Sequence, residues 1–323
     1  MNGEQQEENE MILTVTMNTS IDRLYMVDRV TPETVMRVRE VHNTPGGKGM
    51  NVSRVARKLR EPVTAAGFTG GFHGQYLEQM LAETGVTPDF THVKTETRSC
   101  INIWDLSDNR STEYLEPGAP VTAEELDRFL TDFSVRLPSA DAVTISGSVP
   151  AGVPKDIYAR LIARCRERNV PVLLDTSGEL LREGVKAVPT LVKPNEDEIG
   201  AISGCSPENR EETVRALKGL VERGIRYAVL SLGAEGAILA SAEGLLYGRP
   251  PRVVPKNTVG CGDSMLAGFA VGIARRLPIR ECFRMALAVS AASAMNLLTG
   301  DFDEPDYQDI LPRVEIRETG GTE

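Results

Sequence analysis

The sequence lacks the features by which several classes of protein are recognised. No run of apolar residues approaches the roughly 18 that a membrane-spanning helix requires. The five cysteines are odd in number and scattered, and the three histidines show no metal-ligand spacing. We therefore predict neither a disulfide framework nor a cysteine–histidine metal site, and a reducing, cytoplasmic environment is favoured. The formal net charge of −10 argues against a general nucleic-acid binder, which needs a basic face.

Two nucleotide-binding signatures are missing as well. The chain has two glycine-rich loops, at residues 46–49 and 260–262. Neither has the spacing of the Walker A phosphate loop, and Lys48 is not followed by the Ser or Thr of that motif. Neither matches Gly-x-Gly-x-x-Gly, so a nicotinamide-dependent dehydrogenase loses its main support.

What the chain does have is a pattern of alternating strands and helices. Its 323 residues are enough for one large core. We predict a single domain over residues 11–312, preceded by a disordered acidic tail (1–10) and followed by a polar tail (313–323). The alternation predicts a three-layer α/β/α sandwich around a mostly parallel sheet. The stretches 21–45 and 96–116 interrupt this pattern and are predicted to pair into a small separate sheet.

The second glycine loop leads into a predicted helix. Its sequence is Asn-Thr-Val-Gly-Cys-Gly-Asp-Ser over residues 257–264, and apolar residues at helical spacing follow. Asp263 is placed at the helix start, where the backbone N–H groups and the helix dipole can hold a phosphoryl group beside a carboxylate. The alternative interpretation is a capped helix after a glycine turn.

The first glycine loop carries a lysine and also precedes a helical pattern. It runs Pro-Gly-Gly-Lys-Gly-Met-Asn over residues 45–51. A lysine together with helix N–H groups suits a phosphate. An aspartate such as Asp263 suits a general base that accepts a hydroxyl proton during phosphoryl transfer. The two loops together therefore indicate phosphoryl-transfer chemistry.

Further polar clusters follow four predicted strands, at the edge of the sheet where ligands bind in such folds. They lie at residues 146–148, 175–178, 193–198 and 231–233. In the third cluster, Asn195 and Glu198 could hold a hydrated Mg²⁺, although acids at a helix start also complement the helix dipole.

Three further residues each have a functional and a structural interpretation. Asp22, at a strand end, could bind sugar hydroxyls or could be an ordinary turn residue. Arg98 could pair with a phosphate or could serve solubility at the surface. Cys261 is interpreted as a small residue that fits between two glycines, because a nucleophilic thiol would need a partner base that the sequence does not place.

Taken together, these motifs resemble the PfkB (ribokinase-like) family of carbohydrate kinases, with the nearest likeness to its tagatose-6-phosphate kinase and 1-phosphofructokinase branch. The matching stretches occur in the family's order over roughly residues 12–300. They are residues 18–22, 46–55, 146–150, 193–198, 231–236 and 257–264.

The resemblance implies a role for each matching residue. Asp263 is the expected base, and the N–H groups of Gly260, Cys261 and Gly262 are the expected anion hole. The expected ATP-binding residues are Asn195, Ser231, Gly233, Gly236, Thr258 and Gly260. Glu198 and Asn195 would place Mg²⁺, through water. The expected substrate-binding residues are Asp22, Gly46, Gly47, Lys48, Asn51 and Arg98, with Arg37 a weaker candidate.

The resemblance also implies a lid and a substrate class. The stretches 21–45 and 96–116 match the family's β-sheet lid, which implies a homodimer. Lys48 favours a ketohexose phosphate over a free sugar, with tagatose 6-phosphate, fructose 1-phosphate and fructose 6-phosphate all open. The form of the loop at residues 44–49 leans slightly toward the tagatose-6-phosphate kinases. The alternatives are a kinase for an unphosphorylated sugar or nucleoside and a non-catalytic sugar-phosphate or nucleotide sensor; a sensor should have lost Asp263.

Overall fold

The computed structural model describes residues 11–319, which form strands and helices in alternation. The strands are β1 (Met11–Thr16), β2 (Ser20–Val27), β3 (Glu40–Gly46), β4 (Val63–Gly70), β5 (Thr87–Pro88), β6 (Thr91–Val93), β7 (Arg98–Asp105), β8 (Arg110–Leu115), β9 (Ala140–Ser146), β10 (Val172–Asp175), β11 (Leu191–Val192), β12 (Tyr227–Ser231), β13 (Ala237–Ser241), β14 (Gly244–Arg249) and β15 (Glu315–Thr319). The helices are α1 (Lys48–Lys58), α2 (Gly71–Glu83), α3 (Ala123–Arg136), α4 (Ile157–Glu167), α5 (Gly178–Lys186), α6 (Glu196–Ser203), α7 (Arg210–Glu222), α8 (Cys261–Ala274), α9 (Ile279–Ala294) and α10 (Glu304–Ile310).

Most strands of the described residues belong to one eleven-stranded sheet in the order β15-β14-β13-β12-β11-β10-β9-β1-β4-β5, with β6 also pairing with β4. The pairs from β12 back to β5 are parallel, while β12, β13, β14 and β15 pair antiparallel. The parallel strands are buried on both faces, as sheets covered by crossover helices are. The predicted three-layer α/β/α fold is therefore confirmed.

Two hydrophobic clusters lie on opposite faces of this sheet. Alternate residues of β1 divide between them: Ile12 packs with α1, α2, α8, α9 and α10, whereas Leu13 and Val15 pack with α3 to α7. The strand period of two sends neighbouring side chains to opposite faces, so one short strand contributes to both clusters. This double burial fixes the register of β1, and with it the position of the polar residues that follow it.

Four strands form a second, separate sheet, which we call the lid. Its order is β3-β2-β7-β8, with β2 and β7 parallel and the two outer pairs antiparallel. These strands come from the stretches 21–45 and 96–116, so the prediction of a small separate sheet is confirmed. Large apolar side chains are exposed on the lid, among them Val41, Tyr114 and Leu115.

The predicted tails differ in outcome. Residues 315–319 form β15, which pairs with β14, so the prediction of a polar tail over 313–323 is wrong for this segment. Its single apolar side chain, Ile316, is buried, and polar residues flank it. An edge strand needs only one buried face, and so short a strand leaves too few apolar residues to mark it in the sequence. The predicted disordered tail at residues 1–10 and the last residues, 320–323, lie outside the described part of the chain.

Within residues 11–319, no helix is both long enough and apolar enough to cross a membrane.

Candidate active site

A cleft of about 690 Å³ opens between the lid and the edge of the large sheet where the parallel strands end. Polar residues that follow β1, β9 and β10 line it, including Asn18, Ser148 and Thr176. The lid contributes Asp22 and Arg98 to the same cleft. Both glycine-rich loops reach the cleft too, so the structure brings together the two loops that the sequence keeps about 200 residues apart.

The second loop presents the N-terminus of α8 to the cleft. Gly260 has a φ of +80°, in the left-handed region, and a Cβ there would lie 2.5 Å from Cγ2 of Thr299. Glycine is therefore required at this position. No side chain caps the N-terminus of α8, although the N–H of Cys261 donates a long hydrogen bond of 3.4 Å to the carbonyl oxygen of Thr258. Gly260 and Gly262 line the cleft, so the positive end of the helix dipole lies at its wall. This arrangement is typical of an anion site.

Asp263 lies in the first turn of α8 and is only 5% exposed. Nδ2 of Asn51 donates a hydrogen bond of 2.8 Å to its Oδ2. Burial raises the pKa of Asp263 to about 6, with the charge of Asp175 acting in the same direction and that of Lys48 opposing. The carboxylate is thus ionised at neutral pH but close enough to its pKa to accept a proton, as a general base requires.

Lys48 and Lys193 share one buried carboxylate. Asp175, at the end of β10, lies 3.4 Å from Nζ of Lys48 and 3.2 Å from Nζ of Lys193. Burial alone would raise the pKa of Asp175, but the two lysines outweigh it and hold that pKa below its usual value. The attraction of Asp175 in turn raises the pKa of Lys48, so Lys48 is charged. A Cβ on Gly262 would lie 3.2 Å from Nζ of Lys193, which places this cation beside the anion site.

The lid end of the cleft holds a second acid and an arginine. Oγ of Ser20 donates to Asp22 at 2.7 Å, and a Cβ on Gly46 would lie 2.0 Å from the Asp22 carboxylate, so this close approach requires glycine. Burial raises the pKa of Asp22 against the hydrogen bond from Ser20 and the charges of nearby arginines. Arg98 donates to the carbonyl oxygens of Glu116 at 2.6 Å and Asn18 at 3.1 Å, which fixes its guanidinium in the cleft wall.

The cleft gathers most of the residues predicted from the sequence. Those that line it are Asp22, Gly47, Lys48, Asn51, Arg98, Thr258, Gly260, Gly262 and Asp263. Gly46 contacts Asp22 from behind, and Cys261 opens α8 with its thiol pKa raised to about 11 by burial. That thiol is protonated at neutral pH, as expected for a residue that only fills space.

Arg37 is not brought to the site. It is exposed in the segment between β2 and β3 and is not among the residues that line the cleft. Its position on a surface loop of the lid explains why a charged residue near the motifs in sequence can lie apart from them in space.

Of the residues predicted for ATP and Mg²⁺, Thr258 and Gly260 line this cleft, and the others lie outside its walls. Asn195 caps α6: its Oδ1 accepts from the N–H of Glu198 at 2.8 Å, and Oε2 of Glu198 accepts from the N–H of Asn195 at 3.0 Å. The two side chains thus form a reciprocal capping box at the start of α6. Asn195 pairs with Ser231 across neighbouring strand ends, and Gly233 faces open space nearby. Glycine is required at position 236 for a structural reason, because a Cβ there would lie 2.0 Å from the carbonyl oxygen of Gly248.

In residues 11–319, no group of three or more His, Cys, Asp and Glu side chains is arranged to hold a metal ion. The oxygen donors near the site instead suit a hydrated cation such as Mg²⁺. The charge of Glu198 helps to raise the pKa of Lys48, so this carboxylate lies near the lysine end of the site. A single carboxylate suits Mg²⁺ that keeps most of its waters and is otherwise held by substrate phosphates.

Three site residues had been given no role from the sequence. Asp175 ends the buried strand β10 and Lys193 directly follows the buried strand β11, in clusters that the sequence analysis had marked as polar strand ends. Thr299, which contacts the glycine loop, lies beyond the last recognised motif, and no sequence signal marks it. The position after a buried parallel strand was therefore the usable signal for the first two.

The fold and the cleft define a phosphotransferase of the ribokinase-like α/β class. The model of the pfkB family of carbohydrate kinases matches residues 14–305, and the chain belongs to this family. It is 36% identical over 306 residues to the 1-phosphofructokinase of Bacillus subtilis (strain 168), covering 95% of this chain and 99% of that protein.

Solved structures agree with this assignment. Phosphofructokinase-2 from Escherichia coli, in complex with substrates and products, superposes with a TM-score of 0.87 at 27% identity, covering 94% of this chain and 99% of that one. A Thermotoga maritima protein described as a possible 1-phosphofructokinase gives a TM-score of 0.84 at 27% identity, covering 96% and 100%.

Proposed function

We propose that the protein uses ATP to phosphorylate a ketohexose phosphate to its 1,6-bisphosphate. The observation that carries the proposal is the placement of the buried base Asp263 beside the uncapped N-terminus of α8, within a cleft that also holds Lys48 and Arg98. A base, an anion hole and fixed cations are what phosphoryl transfer to a hydroxyl group needs, because its catalysis is mostly positioning and charge stabilisation.

Each part of the cleft has a step in this reaction. The carboxylate of Asp263 takes the proton from the attacking hydroxyl of the sugar, and its raised pKa matches this task. The N–H groups of Gly260, Cys261 and Gly262 stabilise the negative charge on the transferring phosphoryl group. Lys193, beside Gly262, adds a fixed positive charge there.

The remaining predicted residues have supporting roles in the proposal. Asn195, Ser231, Gly233, Gly236 and Thr258 would hold ATP. Mg²⁺, when bound, would neutralise charge on the ATP phosphates, with Glu198 and Asn195 holding it through water. Asp22, Gly46, Gly47 and Asn51 would bind the sugar.

Among the predicted cations, the geometry favours Arg98 for the phosphate already on the substrate. Arg98 is fixed in the cleft wall at the lid end, near Asp22, whereas Lys48 is paired with Asp175 toward the transfer site. Arg37 is exposed and lies away from the cleft, so we remove it from the proposal.

For the substrate itself, we favour fructose 1-phosphate. The support is the 36% identity to a protein named 1-phosphofructokinase over nearly all of both chains. This preference replaces the slight leaning toward tagatose 6-phosphate, which depended on the form of one loop. Fructose 6-phosphate and tagatose 6-phosphate remain in the proposed class.

The test is ATP-dependent ADP release measured with fructose 1-phosphate, fructose 6-phosphate, tagatose 6-phosphate, fructose and ribose. We expect clear turnover with at least one ketohexose phosphate and almost none with ribose. Rates on ribose that equal or exceed those on every phosphate would show a kinase for free sugars or nucleosides. Binding of a sugar phosphate without any ADP release would show a sensor.

We also propose a cytoplasmic homodimer that associates through the lid. The exposed apolar side chains of the lid, among them Val35, Val41 and Tyr114, are the support, because exposed apolar surface marks contact sites. Light scattering after size-exclusion chromatography should give twice the mass of one chain for the wild type. Val41→Glu should give the monomer mass, and an unchanged dimer would place the interface elsewhere.

A further inference from the structure

Arg54 is a partly buried arginine that touches the proposed base through one intermediate side chain. It lies on α1, three residues after Asn51, so both side chains share one face of the helix. Its Nη2 donates to Oδ1 of Asn51 at 2.7 Å, and Nδ2 of Asn51 donates to Asp263 at 2.8 Å. The three side chains therefore form a directed chain of hydrogen bonds that ends on the carboxylate.

Arg54 determines which way the amide of Asn51 points. A guanidinium can only donate, so the oxygen of the amide must face Arg54 and its nitrogen must face Asp263. When Asp263 is ionised, it favours this orientation by itself. When Asp263 is protonated, as it becomes on accepting the substrate's proton, a free amide could turn and accept a hydrogen bond from the acid. Arg54 prevents that turn, so Asn51 stabilises only the ionised form.

The same guanidinium also holds the loop behind the anion hole. Its Nη2 donates to the carbonyl oxygen of Thr299 at 2.8 Å. The methyl carbon of Thr299 is the atom nearest to a Cβ built on Gly260, at 2.5 Å. A Cβ on Gly300 would lie 2.8 Å from Nη2 of Arg54, so this loop and the arginine are closely packed. One residue therefore supports both the base and the backbone that leads into the N-terminus of α8.

We infer that Arg54 is a positioning residue for phosphoryl transfer: it fixes the amide of Asn51 as a donor to Asp263 and holds residue 299 against Gly260. This inference rests on the proposed role of Asp263 as the base. Arg54 itself is not among the residues that line the cleft, so its effect on the reaction passes through its neighbours.

The test compares Arg54→Gln with Arg57→Gln. Both arginines are on α1, but Nε of Arg57 donates to the carbonyl oxygen of Gly85, away from the cleft. In Arg54→Gln we expect kcat to fall roughly tenfold to hundredfold, as misplacement of a catalytic group does, with the KM values for ATP and sugar phosphate changed by less than about threefold. The acid limb of the kcat–pH profile should move to higher pH by about half a unit to one unit, because both the fixed donor and a positive charge are lost.

Three further variants separate positioning from a merely structural role. If Arg54 acts on the base through Asn51, its effect should depend on Asn51. Arg54→Gln made in the Asn51→Ala variant should therefore shift the acid limb much less than Arg54→Gln made in the wild type. Arg54→Lys keeps the charge and one donor, and should recover part of the lost kcat. It also replaces Arg54→Gln in these measurements if the glutamine variant does not fold.

Independent readouts keep this inference distinct from the proposed function. A wild-type protein without kinase activity would refute the proposed function. In that case the pKa of Asp263 could still be obtained from stability. The free energy of unfolding would be measured against pH for proteins with Asp263 and with Asp263→Asn, and the comparison would be repeated in the Arg54→Gln background. Normal kcat and an unmoved acid limb in Arg54→Gln, or an equal loss in Arg57→Gln, would overturn the role of Arg54.

Discussion

Replacing Asp263 with asparagine should make the protein less active and more stable. Asparagine keeps the size of the side chain and can still accept the hydrogen bond from Asn51, but it carries no charge. The substitution therefore removes the cost of keeping an ionised carboxylate at a site that is 5% exposed.

The size of this cost follows from the pKa of Asp263, which is raised from 3.8 to about 6, mainly by burial. A pKa raised by about two units means that the ionised form destabilises the native state by roughly 3 kcal/mol. The sign is fixed by linkage. Well below pH 4 the native and unfolded states are both protonated, and no cost arises. Between about pH 4 and pH 6 the unfolded state ionises while the native carboxyl keeps its proton, so the wild type loses stability relative to the neutral variant. Above about pH 6 both states are ionised and the cost stays constant.

The assay is urea unfolding of wild type and Asp263→Asn at several values between about pH 4.5 and pH 8. We expect the variant to be more stable by up to roughly 3 kcal/mol at pH 8, with the gap closing toward pH 4.5. Asp127→Asn is the control, because Asp127 is exposed on α3 and away from the cleft. A gap that is absent, reversed or independent of pH would refute the argument that burial raises the pKa of Asp263. In the same preparations, kcat should fall by about a hundredfold or more.

Three other outcomes follow from the same geometry. The kcat of the wild type should fall with an acid limb near pH 6, the pKa to which Asp263 is raised, and a limb near pH 4 would show that another group is the base. Gly260→Ala should lower kcat by roughly tenfold or more, because a Cβ at a φ of +80° and 2.5 Å from Thr299 displaces the loop; measured turnover equal to wild type would show that this backbone is not part of the anion hole. Arg98→Gln should raise the KM for the sugar phosphate by roughly tenfold or more while leaving that for ATP within about threefold, and exposed Arg37→Gln should change neither; the reverse ranking in steady-state kinetics would return Arg37 to the substrate site.

The sequence predicts the large features of this fold because they depend on periodic patterns. Alternating strands and helices leave few arrangements other than a parallel sheet covered on both faces. β15 escaped prediction because an edge strand buries only one face, and here a single apolar residue, Ile316, marks it. Short helices such as α5 and α10, of nine and seven residues, are also hard to recognise, because so few residues give no clear helical period.

Within the site, prediction succeeded where local backbone chemistry decides the role. Gly260 and Asp263 belong to one turn, and their neighbours in sequence are their neighbours in space. Prediction failed where partners come from distant elements. Nothing in the sequence indicates that the carboxylate of Asp175 lies between Lys48 and Lys193, because Asp175 ends β10, Lys48 begins α1 and Lys193 follows β11. Arg54 is intermediate: its spacing from Asn51 on one helix face was a usable signal, although its target was not.

The shared carboxylate also explains how an acidic protein can hold two anionic substrates. The chain carries a net charge of −10, yet Arg23, Lys48, Arg98 and Lys256 line the cleft. Lys193 lies just behind the anion site and is 4% exposed, where an unpaired lysine would be costly to ionise. Asp175 offsets this cost by pairing with both lysines. It carries one charge against their two, so these three side chains together keep a net positive charge where the proposal places the phosphates. Asp175→Asn should therefore leave the buried Lys193 without its ion-pair partner, and this is the physical reason for a buried aspartate at an anion site.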